Sequence, residues 1–299
     1  MFLKAFLRKS LLLSLLIVAG TLDGQAQKLT PEEIIAKDVA SLGAAKLLTQ
    51  SRNLMAIAGC EFVMHIPERQ IPGRAVLASD GSSLAFFSKF NSDDYPMERI
   101  GIFGDKVKIP PVKLGGRSPL GGFLKSWDKT LASRIFGGAI FSTWRFLSAT
   151  ATPGTFATEG MKKIDNRGVW ILSFTPKGGL TGGSYIKLYF DAKTFHHVRT
   201  VHRQKEPERG GIDVEPTSPL RSGGGVGNWN ADLANNSFTL TEDFDDIRSD
   251  LSLMLPHKYS ISVLFDGTNG TAERDWNLRI EEYRLIREFP ADFFTFGGQ

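Results

Sequence analysis

Apolar and polar residues alternate from Arg52 to Ile286, cut by turns bearing Gly, Pro or Asp and interrupted once, between Ser118 and Ser148. A period of two is the mark of a strand with one sheltered face, because successive side chains point to opposite sides. Cys60, Phe62, Met64 and Ile66 share one side of a strand over 52–66, and Leu84, Phe86 and Phe90 share one side of another, with Lys89 opposite. Asp80-Gly81 and Gly104-Asp105 read as hairpin turns, as do Gly178-Gly179 and Gly182-Gly183. Strands resume after Pro153-Gly154 and again at Phe238, the last of them over 273–286. The expected class is mainly β (α+β), with about ten antiparallel strands. No strand–helix–strand alternation occurs, which argues against a doubly wound parallel sheet.

Two helical regions punctuate this pattern. Thr30-Pro31-Glu32-Glu33 carries a cap, a proline at the first helical position and a capping-box glutamate. Ile34, Ile35, Val39, Leu42 and Leu47 follow at helical spacing, with Gly43 as a weak point. In the middle, Phe123, Leu124, Trp127, Leu131 and Ile135 recur at steps of three and four, with Lys125, Asp128 and Lys129 between them. Gly137-Gly138 ends this amphipathic helix, and a second is expected over 139–147. The insertion spans about 118–148, and its uncharged stretch is too short for a bilayer, which needs roughly 20 residues.

The N-terminus has the three parts of a secretory signal: basic Lys4, Arg8 and Lys9, an apolar core 11–19, and small Gly24 and Ala26 before a cut at Gln27. Residues 1–26 are read as a signal peptide and 27–299 as a single domain in the periplasm, with a long Gly-, Pro- and Ser-rich loop at about 205–236. The signal removes three bases and one acid, so the mature charge falls below the +4 of the whole chain. With bases scattered rather than clustered, nucleic acid is not an expected partner. Cys60 is the single cysteine, so an internal disulfide is impossible.

Catalytic and metal signals are weak. His196 and His202 share a strand face about 20 Å apart at roughly 3.3 Å per residue, and His197 points away; solvated strand histidines are expected. The Gly223–Gly227 run precedes no helix and reads as loop. Asp243, Asp245 and Asp246 lack the spacing of a calcium loop. No Gly-x-Ser-x-Gly elbow exists. The expectation is a non-enzyme with no cofactor and no metal.

What remains is a broad apolar face: Phe62, Met64, Leu84, Phe86 and Phe90, joined by Tyr259, Ile261 and Val263. Such a sheet either rolls around a filled core or stays partly open, and an open apolar concavity requires a ligand or a covering helix. The chain resembles the LolA/LolB-like outer-membrane lipoprotein-sorting group. The resemblance rests on the signal followed by Leu29-Thr-Pro-Glu-Glu-Ile-Ile-Ala-Lys, the mid-chain helical insertion, the segment Leu188–Val198 with its turn begun by Asp191, and Phe244-Asp-Asp-Ile-Arg with Leu255-Pro256. It implies a curved antiparallel half-barrel wrapped round helices, with an apolar cavity for acyl chains. On that footing the expected ligand-binding residues are Phe62, Met64, Leu84, Phe86, Phe90, Tyr259 and Ile261 on the strands, with Trp127 and Leu131 on a helical plug. The expected partners are lipid or lipoprotein acyl chains and an envelope membrane protein. The alternatives are an integral outer-membrane β-barrel and a secreted carboxylate-dependent hydrolase.

Overall fold

The computed structural model describes residues 29–43, 52–104, 106–112, 118–126, 135–146, 154–180, 182–205, 237–267 and 270–296. The signal segment, the Gly223–Gly227 run, nearly all of the 205–236 loop, and Trp127 and Leu131 lie outside the described residues.

Among the described residues twelve antiparallel strands form one sheet, two more than the rounded sequence expectation. In chain order they are β1 (Leu54–His65), β2 (Glu68–Ser79), β3 (Ser83–Phe90), β4 (Met97–Phe103), β5 (Lys106–Lys108), β6 (Gly154–Ile164), β7 (Arg167–Pro176), β8 (Tyr185–Asp191), β9 (His197–Lys205), β10 (Ser237–Asp250), β11 (Leu253–Gly267) and β12 (Gly270–Leu285). The spatial order β5-β4-β3-β2-β1-β12-β11-β10-β9-β8-β7-β6 describes two meanders, β1–β5 and β6–β12, joined along a single seam between β1 and β12. The sheet curves but does not close, leaving β5 and β6 as its two edges.

Helix α1 (Pro31–Leu42) begins as its sequence dictates: Glu33 N donates to Thr30 Oγ1 at 3.3 Å and Thr30 N donates to Glu33 Oε2 at 2.7 Å. It stops at Leu42, ahead of Gly43. Helices α2 (Pro119–Ser126) and α3 (Gly138–Phe146) fall between the two meanders in the chain. Ser118 caps α2 by accepting from Gly121 N at 2.8 Å.

Strand register sorts the side chains into two faces. Leu54, Ala56, Ala58, Cys60 and Phe62 of β1 lie level with Leu77, Ala75 and Ile71 of β2 and with Trp276, Leu278 and Ile280 of β12, and all are buried. This inner face runs on through Leu84, Phe86, Ile100 and Ile102 on one side and Tyr259, Ile261, Leu240, Leu188 and Leu172 on the other. Helix residues Ile34, Leu120, Phe123, Leu124, Ile140 and Phe141 belong to the same apolar cluster, so the helices cover the inner face. The outer face carries charge instead, including Glu61, Arg74, Lys258, Arg279 and Glu281 around a groove of about 800 Å³.

The C-terminal segment was not anticipated. After β12 it pairs Ile286 N with Asn53 O at 2.9 Å, then packs a 3-10 turn, Phe293–Thr295, on the outer side of β3 and β4. Phe294 is buried there, and a Cβ at Gly101 would lie 2.2 Å from Phe294 O. Only glycine at 101 lets the two backbones approach so closely.

Candidate functional site: the inner face and its cover

The inner face brings together most of the residues singled out in the sequence. Phe62, Leu84, Phe86, Phe90, Tyr259 and Ile261 are all buried on it, and Met64 is half-buried against it at the end of β1. Phe62 sits at the centre of an aromatic knot, with ring centroids 4.6 Å from Tyr95, 5.1 Å from Trp276 and 6.0 Å from Phe90. These side chains touch one another and the covering helices, so a guest reaches them only if the cover moves.

The cover is fastened through three buried acids that the sequence reading passed over. Each is fully inaccessible to solvent. Asp38 projects from α1 in line with Ile34 and Leu42, and its Oδ1 accepts from His197 N on β9 at 3.0 Å. Glu98 on β4 accepts from Tyr95 OH at 2.5 Å, and Tyr95 OH in turn accepts from Trp276 Nε1 at 2.9 Å. The Ser118 side chain, which caps α2, also hydrogen-bonds Glu98. Glu242 on β10 accepts at Oε1 from both Tyr259 OH (2.6 Å) and Gly137 N (2.8 Å), the residue just ahead of α3, while His202 Nε2 lies 3.6 Å from Oε2. A signal for these acids was present: Glu98 falls in phase with Ile100 and Ile102, Glu242 with Leu240 and Phe244, and Asp38 one helical turn from two apolar residues. A polar residue in the apolar phase of an element is paired when buried.

Gly137 and Gly138 both have positive φ, +75° and +48°, so the chain turns sharply into α3. A Cβ at Gly138 would stand 2.5 Å from the ring of Phe244. That ring stacks on Tyr259 with centroids 5.0 Å apart. The start of α3 is therefore seated on an aromatic pair and tied to the carboxylate beside it.

The histidine expectation needs correcting. His197 and His202 are both buried, not solvated, and both face inward with Thr200. His202 follows the regular alternation with Thr200, whereas His197 is turned inward by a register shift in the β8–β9 ladder between Tyr189 and Phe190. His197 Nε2 lies 3.0 Å from Arg199 O and from Thr200 Oγ1, and burial pushes its imidazole down to about 4. His196 keeps a polar contact, 2.8 Å between its Nδ1 and Ser41 Oγ. Among the aspartates weighed for calcium, Asp243 pairs instead with Arg199 at 2.5 Å and Asp246 with Arg248 at 3.4 Å.

Asp191 starts the β8–β9 turn. Its Oδ1 accepts from Lys193 N, Thr194 N and Thr194 Oγ1. Burial alone would raise this carboxyl, but the Arg167 hydrogen bond and the turn amides outweigh it and hold the group at about 2.

Burial pushes the Asp38 carboxyl up to about 8, with the His197 amide pulling the other way, and pushes Glu98 up to about 7 against its bonds to Ser118 and Tyr95. The folded chain therefore keeps protons that the unfolded chain has shed. The stabilisation is complete below the unfolded values near pH 4 and disappears as pH rises through about 7 and then about 8. His197 acts oppositely but only below its unfolded value of about 6.5. Thermal stability is expected to fall from about pH 6.5, where His197 no longer opposes the carboxyls, to about pH 8 and to level off above that, and Asp38→Asn is expected to flatten the fall. Melting curves across this range check it; an unchanged slope in the variant overturns the assignment.

No helix among the described residues is long and apolar enough to cross a membrane. The barrel alternative is set aside on other grounds: the sheet has two free edges and its apolar face points inward, whereas a membrane barrel is closed and apolar outside.

No family model matches the sequence, and no curated protein matches it significantly. Among solved structures, the chain is similar to a LolA superfamily protein from Nitrosomonas europaea, at 12% identity and a TM-score of 0.46, over 89% of this chain and 97% of that one. It is also similar to a putative outer membrane lipoprotein-sorting protein domain from Vibrio parahaemolyticus, at 10% identity and 0.45, over 88% and 95% of the two chains. A DUF1329 family protein from Desulfovibrio piger matches at 10% identity and 0.44, over 87% and 95%.

Proposed function

We propose that the chain is a periplasmic carrier or binding protein for lipid or lipoprotein acyl chains, which it shelters on the inner face of the sheet without catalysis. The observation that carries this reading is the architecture of that face: an unclosed sheet with a continuous apolar surface, roofed by short helices rather than by a second sheet. A tail entering between sheet and helices would exchange protein–protein for protein–lipid contacts. Burial of the tail contributes about 0.8 kcal/mol per CH₂, so a long acyl chain suffices without reactive groups. Each of the three buried acids is engaged in a structural hydrogen bond, which suits a latch better than a catalytic pair.

Phe62, Leu84, Phe86, Phe90, Tyr259 and Ile261 would line the opened space, with Met64 at its rim. The test is a saturable titration of the delipidated protein with a fluorescent fatty acid, alongside native mass spectrometry for co-purified lipid. Met64 is only half-buried, so Met64→Asp is expected to leave the fold intact and to weaken probe binding by roughly fivefold or more, the cost of setting a charge against an apolar tail. No saturable binding and no co-purified lipid would end the carrier reading.

A further inference from the structure

We propose that His65, Glu273 and Asp275 form a divalent transition-metal site, of the kind that takes Zn²⁺, on the outer side of the β1–β12 seam. The donor atoms of these three side chains all lie within 4.8 Å of one another. His65 comes from the last position of β1, and Glu273 and Asp275 lie two residues apart on the same face of β12. Val63 pairs with Asp275 and Met64 with Arg274, which sets His65 beside Glu273. His65 Nε2 already stands 2.6 Å from Asp275 Oδ2. Donors on one ion at about 2.0–2.2 Å each sit roughly 3 Å apart, so a small outward movement converts this contact into shared ligation.

Two further observations set this cluster apart from an ordinary surface ion pair. Asp275 Oδ1 is buried and has no hydrogen-bond partner among the described residues, which leaves a desolvated acceptor at the base of the cluster. The surrounding outer-face positions also supply no counter-cation. Glu68 lies directly across from His65 on β2, and Glu61 and Asp266 lie nearby in the same phase. The positions in the phase of the cluster, 61, 63 and 65, 68, 70 and 72, 262, 264 and 266, and 271, 273, 275 and 277, carry no lysine or arginine; Arg69 and Arg274 of the same segments lie in the opposite phase. One imidazole with two carboxylates suits a borderline ion such as Zn²⁺ better than Mg²⁺ or Ca²⁺, which prefer all-oxygen sites. Remaining positions on the ion would hold water.

The location gives the site a consequence. Among the described residues β1 and β12 make the only ladder between the two meanders, so a metal there would staple them together. Binding to the folded state alone raises stability by mass action.

Calorimetric titration of the tag-free full chain with ZnCl₂ is the test, paired with melting temperature in excess Zn²⁺ and in a chelator. One equivalent should bind, with a higher melting temperature in Zn²⁺. His65→Ala and Asp275→Asn should each weaken binding by more than roughly tenfold. His196→Ala should leave it unchanged; His197, His202 and His257 are buried. Absence of Zn²⁺ binding by the parent chain, or equal binding in the His65 and Asp275 variants, overturns the site. All three ligands are partly exposed on regular strands, and circular dichroism of the variants separates lost binding from lost fold.

Discussion

Trp276→Ala is expected to destabilise the protein by about 3–5 kcal/mol, the range for deleting a large buried aromatic. Trp276 is wholly inaccessible and lies on β12, the strand that joins the two meanders. Its ring packs against Phe62 of β1 at 5.1 Å, so the cavity would open directly at the seam. Its Nε1–H also begins the chain of hydrogen bonds that runs through Tyr95 and Glu98 to the cap of α2. Trp276→Phe weighs the two contributions differently, because it keeps an aromatic ring while removing the donor and part of the ring volume; a loss of about 1 kcal/mol beyond that volume change is expected. Urea unfolding of both variants checks this. A loss below about 1 kcal/mol for Trp276→Ala would show that the aromatic knot is not packed as described.

Much of the sheet was legible because its physics is local. Alternation placed Phe62, Leu84, Phe86, Tyr259 and Ile261 on one face, and Thr30-Pro31-Glu32-Glu33 located the start of α1. The misses share a cause: the deciding residue carried no turn signal, or carried a false one. β2 begins at Glu68 and runs straight through Pro72-Gly73, a pair that by composition reads as a turn. The β2–β3 ladder ends at Gly73, and Pro72 beyond it meets that side only as an acceptor, its carbonyl taking a hydrogen bond from Asn91 N at 3.2 Å, so the missing proline N–H is tolerated. The β10–β11 hairpin extends to Asp250 and Leu253 through Leu251 and Ser252, both with left-handed φ. Leucine rarely adopts that conformation, so neither residue announces a turn. The site was legible as a surface but not as a mechanism. Asp38, Glu98 and Glu242 each break an apolar phase, yet their partners lie 3 to 159 residues away in sequence. The β8–β9 register shift that turns His197 inward depends on pairing, which one strand's sequence does not display.

Loosening α3 from the sheet is the second large effect expected. Glu242→Ala removes the shared acceptor of Gly137 N and Tyr259 OH, and a buried donor left unpaired costs about 1–3 kcal/mol. Glu242→Gln keeps an acceptor oxygen in place and is expected to lose much less. The Gly137 bond is made by α3 and not by its neighbours in the sheet, so part of the cost falls on the attachment of the helix alone. If about 2 kcal/mol of it does, amide exchange in α3 speeds up roughly thirtyfold while the β1–β12 ladder changes with global stability only. Gly138→Val approaches the same attachment from the other side. A β-branched residue at φ +48° whose Cβ would meet the Phe244 ring at 2.5 Å forces α3 off its seat. Under the carrier reading, both Glu242→Ala and Gly138→Val would take up an acyl probe faster than the parent chain. Exchange that rises equally in α3 and in the ladder would mean that the helix is an inseparable part of the core, and that the roof opens elsewhere.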